Sequence, residues 1–486
     1  MVCNFNLKKI FPVFAGMFLF SLVACNSASN NKLVSDIPLV HKVLQDKSCA
    51  YYANYSQYPK DLKSLPVGMF DSGTGGLTVM EQFLALDSFN NQTGEELPDG
   101  IPDFDGEDFI YLADQANMPY GVYDSQGKKD FLRELIIKDA LFLTKAPNRT
   151  KIVVIACNTA TAYGLADVRA LLESSKTGVK AIGVIDAGVD GAMKPISVSE
   201  DSFAVGVLAT VGTISSGGYQ NSIKNYAANN GFKGDLRVVS QGGLGFAEAV
   251  DSEPDYVSSA AYEVRANYRG PVYGAPDGIR VDLLPLYNFD YSGNAILIKK
   301  DDSGSIVDIQ LNSAANYARF HLVSLMVKHR EENPGVKMKS IILGCTHYPY
   351  FYDTLVTVIK ELRAFEEDGV NVFAQLMDSS MFFVDPAVNT AKETFKQLFA
   401  ANILTRKQKG NRMEAYISVP HSDLPQNYKD STGNLSFDFK YGRELGSDIS
   451  SVSVVPFSNS NINSENLMRI QERLPLSYSL IKKNLE

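Results

Sequence analysis

Four short apolar runs constrain this chain more than any other feature: KIVVIAC (151–157), AIGVID (181–186), FAVGVLAT (203–210) and KSIILGC (339–345). A strand with one face in water alternates polar and apolar residues. Near-continuous runs of this length, bounded by polar turns, read as strands buried on both faces. LPVGMF (65–70) and FIYLAD (109–114) read the same way. Between them lie helix-like segments, LTVMEQFLAL (77–86) and KDFLRELIIKDALFL (129–143), with apolar residues three and four apart. Alternation of buried strands and amphipathic helices predicts α/β architecture with parallel sheets.

Three stretches break this rhythm. Residues 88–108 (SFNNQTGEELPDGIPDFDGED) read as an acidic, solvated loop, since DFDGED lacks the spacing of a calcium-binding loop. Within 252–335, AILIKKDDSGSIVDIQL (295–311) predicts a hairpin about its DSG turn. From 405 onward the chain is rich in Ser and Asn. Alternating runs such as LSFDFKY (435–441) predict an added β-element followed by a loosely packed end.

In parallel α/β sheets, ligands gather at the carboxyl ends of the strands. FDSGTGGLT (70–78) places Asp71 and Ser72 at such an end, before a glycine-rich turn into a helix. The third glycine of a dinucleotide fingerprint is missing, which excludes NAD, but the loop's amides suit a carboxylate. CNTATAYGLADVRALL (157–172) starts on Cys157, where a helix dipole is expected to favour the thiolate. VLATVGTISSGGY (207–219) offers hydroxyls, and GCTHYPY (344–350) places Cys345 at a strand end with His347 two residues on.

One buried cysteine at a strand end is usually packing. Two such thiols, each followed by Thr within two residues, one with Asp71 available and one with His347, point to two facing half-sites. The spacing of Cys157, Cys345 and His347 is poor for metal ligands. Opposed thiols suit inversion of a stereocentre beside a carboxylate: one removes the α-proton and the other delivers a proton to the opposite face. The net charge of −9 argues against a nucleic-acid surface.

The phrases FDSGTGGLTV, LADQANMPYG (112–121), IACNTA, GVLATVGTISSGGYQ and LGCTHYP, in that order, resemble the cofactor-independent glutamate racemases. DPAVNTAKETFKQL (385–398) is similar to that family's closing helix. The resemblance implies two pseudo-symmetric three-layer α/β domains with parallel sheets and an interdomain active-site cleft. The first domain would take 67–186 plus 375–404, and the second 187–374 with an insertion near 252–335. A C-terminal extension, 405–486, would follow.

The resemblance further implies L-glutamate/D-glutamate interconversion, serving peptidoglycan and D-amino-acid metabolism, with no cofactor and no metal. Cys157 and Cys345 would be the acid/base thiols, with Asp71 and His347 as auxiliaries. Asp71, Ser72, Tyr120, Gly121, Asn158, Thr159, Thr213, Thr346 and His347 would hold the substrate. QGGLGFAEAVDSE (241–253) stands where the family has a different phrase, and it offers Glu248 and Asp251 as pocket acids. Aspartate as substrate, or a binding lipoprotein without turnover, remain open alternatives, as does a homodimer.

The N-terminus departs from the family. Lys8 and Lys9 precede an apolar stretch ending in Leu22-Val23-Ala24-Cys25, which resembles a bacterial lipobox. The expectation is a signal peptide over 1–24, lipidation of Cys25, a tether and extension over 25–66, and a body anchored to a membrane in the cell envelope.

Overall fold

In the computed structural model, the described residues are 35–405, 410–446 and 451–485. The expected signal peptide over 1–24 and the expected lipidation site, Cys25, lie outside them. No helix among the described residues is long and apolar enough to cross a membrane.

The buried runs form strands as expected. β1 (Val67–Asp71), β2 (Asp108–Ala113), β3 (Ile152–Ile155) and β4 (Lys180–Gly183), with β11 (Arg412–Pro420) and β12 (Val452–Pro456), form a sheet in the order β12-β11-β2-β1-β3-β4. A second sheet has the order β10-β9-β5-β6, from β5 (Ser202–Ala209), β6 (Asp235–Gly242), β9 (Met338–Gly344) and β10 (Met377–Val384). Its pairings are all parallel. Ile152, Val153, Val154 and Ile155 are all buried, as the unbroken pattern requires. Each such side chain contributes about 1.5–3 kcal/mol of hydrophobic stabilisation.

Two expectations about order along the chain need correction. AIGVID is strand only through Gly183; a helix runs over Val184–Met193. Residues 375–384, assigned above to the first domain, supply β10 to the second sheet. The helix Pro386–Ala400 then packs on both Val184–Met193 and Leu77–Ala85, and the described residues form one compact unit.

The irregular segments are more structured than their composition implies. The acidic loop is pinned by the Asp103 carboxylate, which accepts from the amides of Ser88 (2.9 Å) and Phe89 (3.0 Å). Phe89 stacks on Phe395 and Phe104 packs on Phe83, so the loop contributes to the core. The hairpin forms from β7 (Ile296–Lys300) and β8 (Ile306–Leu311). Residues 314–332 of the expected insertion are a helix packed on β5 and β6.

The C-terminal segment differs most from expectation. β11 (Arg412–Pro420) joins β2 in parallel and β12 (Val452–Pro456) joins β11 antiparallel, which widens the first sheet to six strands. LSFDFKY gives a helix over Phe437–Gly442 instead of a strand. The end is packed: helices Ser464–Arg473 and Pro475–Leu485 bury Ile470 and Ile481. The amides of Leu476 and Ser477, at the start of the last helix, donate to the Glu81 carboxylate.

Candidate active site

Cys157 and Cys345 line one small pocket, each delivered by a different sheet. Cys157 follows β3 and caps the helix Asn158–Ser175, its sulfur accepting from the Ala160 amide at 3.4 Å. Cys345 follows β9. Ser72, Gly121, Asn158, Thr159, Thr346 and His347 line the same pocket. The cavity between them is narrow, about 20 Å³, room for about one water molecule.

The Cys157 thiol lies 3.6 Å from Ser72 Oγ. Burial, and next the charge of Asp71, push this thiol well above its ordinary pKa. The helix N-terminus lowers it as expected, through the Ala160 amide, but the two opposing effects are larger. The expectation of a favoured thiolate at Cys157 is therefore reversed.

Asp71 sits fully buried behind Ser72 and Cys157. Its Oδ2 accepts from the Gly76 amide (2.7 Å) and from Thr346 Oγ1 (3.3 Å), and Oδ1 has no hydrogen-bond partner. Burial raises its pKa, against the His347 charge and the Gly76 amide. The glycine-rich turn explains how His347 can approach. A Cβ on Gly75 would lie 2.6 Å from His347 Cε1 and 2.8 Å from Thr346 Oγ1, so a side chain there would displace the imidazole.

His347 Nδ1 is 3.5 Å from Cys345 Sγ, and Nε2 is 3.1 Å from Asp251 Oδ2. Burial opposes a charge on this ring. The Asp251 charge and hydrogen bond, with Cys345 on the other side, outweigh burial and hold the His347 pKa well above its usual value. Burial likewise works against the Asp251 carboxylate, but His347 and Arg469 outweigh it and lower its pKa. Glu248, from the same short helix region, lines the pocket and is pushed up to about 7 by burial.

One expected contact residue, Thr213, lies outside the pocket lining, and another, Tyr120, lines it with its hydroxyl turned away. Thr213 is buried outside the pocket lining, where its hydroxyl joins those of Thr159 (3.0 Å) and Thr210 (2.9 Å). Thr210, the first residue after β5, faces the pocket instead. Its position at the end of FAVGVLAT was the available signal. The backbone segment of Tyr120 and Gly121 forms one wall, but the Tyr120 hydroxyl is engaged elsewhere, 2.5 Å from Asp114 Oδ2 and 2.7 Å from Asp139 Oδ2. A phenol has one proton, so a neutral carboxyl completes this network; burial, and then the Asp114 charge, raise Asp139 well above its ordinary pKa and make it that group. Met118 and Pro119, also in the wall, carried no chemical signal in the sequence.

Among the described residues, no group of three or more His, Cys, Asp or Glu is arranged to hold a metal ion. Cys49, Cys157 and Cys345 are free thiols.

Known proteins resemble this chain over part of its length. A glutamate racemase of Pseudomonas entomophila is 31% identical over 210 residues, 43% of this chain and 64% of that protein. One of Stutzerimonas stutzeri is 32% identical over 188 residues, 38% of this chain and 56% of that protein. One of Streptococcus agalactiae is 31% identical over 216 residues, 44% of this chain and 67% of that protein. The chain thus spans 64% and 56% of the first two curated relatives. A solved glutamate racemase isoform of Bacillus anthracis aligns with a TM-score of 0.43 and 21% identity, over 73% of this chain and 88% of that one. No family model matches the chain.

Proposed function

Since the chain belongs to the glutamate/aspartate racemase superfamily, we propose that it racemises a free amino acid, glutamate, by direct proton transfer at the α-carbon. The observation that carries this reading is the pair of thiols, Cys157 and Cys345, lining one pocket from two different sheets. We read those sheets as pseudo-symmetric halves with the substrate in the cleft between them.

In this reading, each thiol has its own proton partner. Asp71 stands behind Cys157, and His347 beside Cys345. The positive charge of a bound α-ammonium would offset the field of Asp71 and allow the Cys157 thiolate to form when it is needed. The amino end of the helix Asn158–Ser175, with the hydroxyls of Thr159 and Thr346, offers donors for the α-carboxylate. Abstraction by one sulfur and delivery by the other inverts the centre, and the reverse reaction exchanges their roles.

The test is incubation of the reduced protein with L-glutamate in deuterated water, following the α-proton by NMR and optical activity by circular dichroism. Deuterium incorporation with loss of optical activity is expected. No exchange with either glutamate or aspartate would remove the reading, and preference for aspartate would move the chain to that branch. Cys157→Ala and Cys345→Ala should each lower racemisation by about a thousandfold or more. Each variant should retain α-exchange with at most one enantiomer, opposite in the two cases. We further propose attachment to the bacterial envelope through Cys25, on the strength of the Leu22-Val23-Ala24-Cys25 sequence.

A further inference from the structure

The C-terminal segment reaches the site through one side chain. Arg469, on the helix Ser464–Arg473, donates through Nη2 to Asp251 Oδ1 at 2.8 Å. The same nitrogen donates to Asn466 Oδ1 at 2.8 Å, Nη1 donates to the Val250 carbonyl, and the guanidinium lies 5.0 Å from the Tyr350 ring centroid. Asp251 is thereby held at both oxygens: Oδ1 by Arg469 and Oδ2 by His347. His347 in turn meets Cys345. A continuous polar chain runs from the C-terminal helix to a thiol that lines the pocket.

We propose that Arg469 is a positioning residue for the reaction, fixing the Asp251 carboxylate so that Asp251 holds His347 against Cys345. The inference rests on the racemase reading for its meaning in turnover, and on geometry alone for the Arg469–Asp251–His347 contact.

Three features distinguish this contact from a surface ion pair. Asp251 is almost fully buried, so removal of one partner leaves a desolvated charge. The guanidinium is fixed by three acceptors and an aromatic ring, and that fork geometry is not available to a lysine. The helix is itself anchored: Asn463 caps it, and the following helix is tied to Glu81 on Leu77–Ala85.

The titratable groups facing Asp251 are His347 and Arg469, with Glu248, Glu253, Tyr111 and Tyr350 around them. His347 also faces Asp71. Of these, only His347 and Arg469 bring positive charge to Asp251. Loss of Arg469 therefore raises the pH at which Asp251 takes a proton, and the acid limb of the pH–rate profile moves up.

The experiment compares wild type, Arg469→Gln, Arg469→Lys and, as a control on tail anchoring, Glu81→Gln. Arg469→Gln is expected to lower α-proton exchange about tenfold and to shift the acid limb upward by about half a unit or more. Arg469→Lys should recover part of the rate and most of the shift. Glu81→Gln should lower the melting temperature with the acid limb unmoved. An Arg469→Gln profile identical to wild type overturns the inference, as does a rate loss with an unmoved acid limb. Nitrogen-15 histidine NMR, assigned with His347→Asn, reads the contact independently of turnover: the His347 signals should move in Arg469→Gln. An inactive wild type would count against the racemase reading, while unmoved His347 signals would count against the role of Arg469.

Discussion

Glu248 is where the pocket becomes sensitive to pH near neutrality. Burial pushes its carboxyl up to about 7, so below that pH it is mostly neutral and can donate a hydrogen bond to a substrate carboxylate. Above it, the group ionises and repels the same carboxylate. With glutamate as the proposed substrate, KM should therefore rise with pH above about 7, approaching tenfold per unit where one proton is lost. In Glu248→Gln this rise should disappear, with KM measured from about pH 6 to pH 9. A rise that persists in the variant would assign the effect to another group. At this scale the sequence was informative about identity and poor about environment. Cys157, Cys345, Asp71 and His347 could be named from strand ends and neighbours. The sequence could not weigh a helix dipole against burial and the charge of Asp71, which arrive from contacts distant along the chain. Thr213 and Thr210 could not be separated either, because a three-residue step on a short helix decides which hydroxyl meets the pocket.

Among the elements, strands buried on both faces were the most legible, since only one environment suits an unbroken apolar run. The helix at LSFDFKY shows where pattern reading fails. Alternation over five residues puts Phe437 and Tyr441 on one strand face, but positions four apart also share a helix face. Here their rings meet at 4.7 Å along the helix. Tertiary contacts decide between the two: Lys440 Nζ donates to the Met118 carbonyl, and the Tyr441 hydroxyl donates to that of Pro119 at 3.0 Å. These carbonyls belong to the pocket wall, so the segment that read as an added β-element supports the site from outside. A chain ending at Thr405 would expose the edge of β2, uncover the wall at Met118–Pro119 and remove Arg469 from Asp251. Such a truncation should aggregate or melt at least about 10 °C lower, read by thermal unfolding of the soluble fraction. A monomeric truncation with unchanged melting would show that the tail is an accessory.

For the whole molecule, the proposed attachment through Cys25 raises the question of how thiol chemistry would survive in an oxidising envelope. The fold offers an answer in the resting state of Cys157. Oxidants and alkylating agents react with thiolates, and burial together with Asp71 keeps this sulfur protonated at neutral pH. Both pocket cysteines are also closed off, each only 6% exposed, whereas Cys49 is partly accessible. At pH 7, iodoacetamide should therefore label Cys49 well ahead of Cys157, measured peptide by peptide by mass spectrometry. Removing the Asp71 charge with Asp71→Asn should speed labelling of Cys157, because the thiolate is then less opposed, provided the variant keeps the wild-type melting temperature. Labelling of Cys157 ahead of Cys49 in the unliganded wild type would overturn this account of protection. The placement itself has its own readout: Cys25→Ala should release the protein from the membrane fraction, and a chain that fractionates identically with and without Cys25 would remove the lipid anchor.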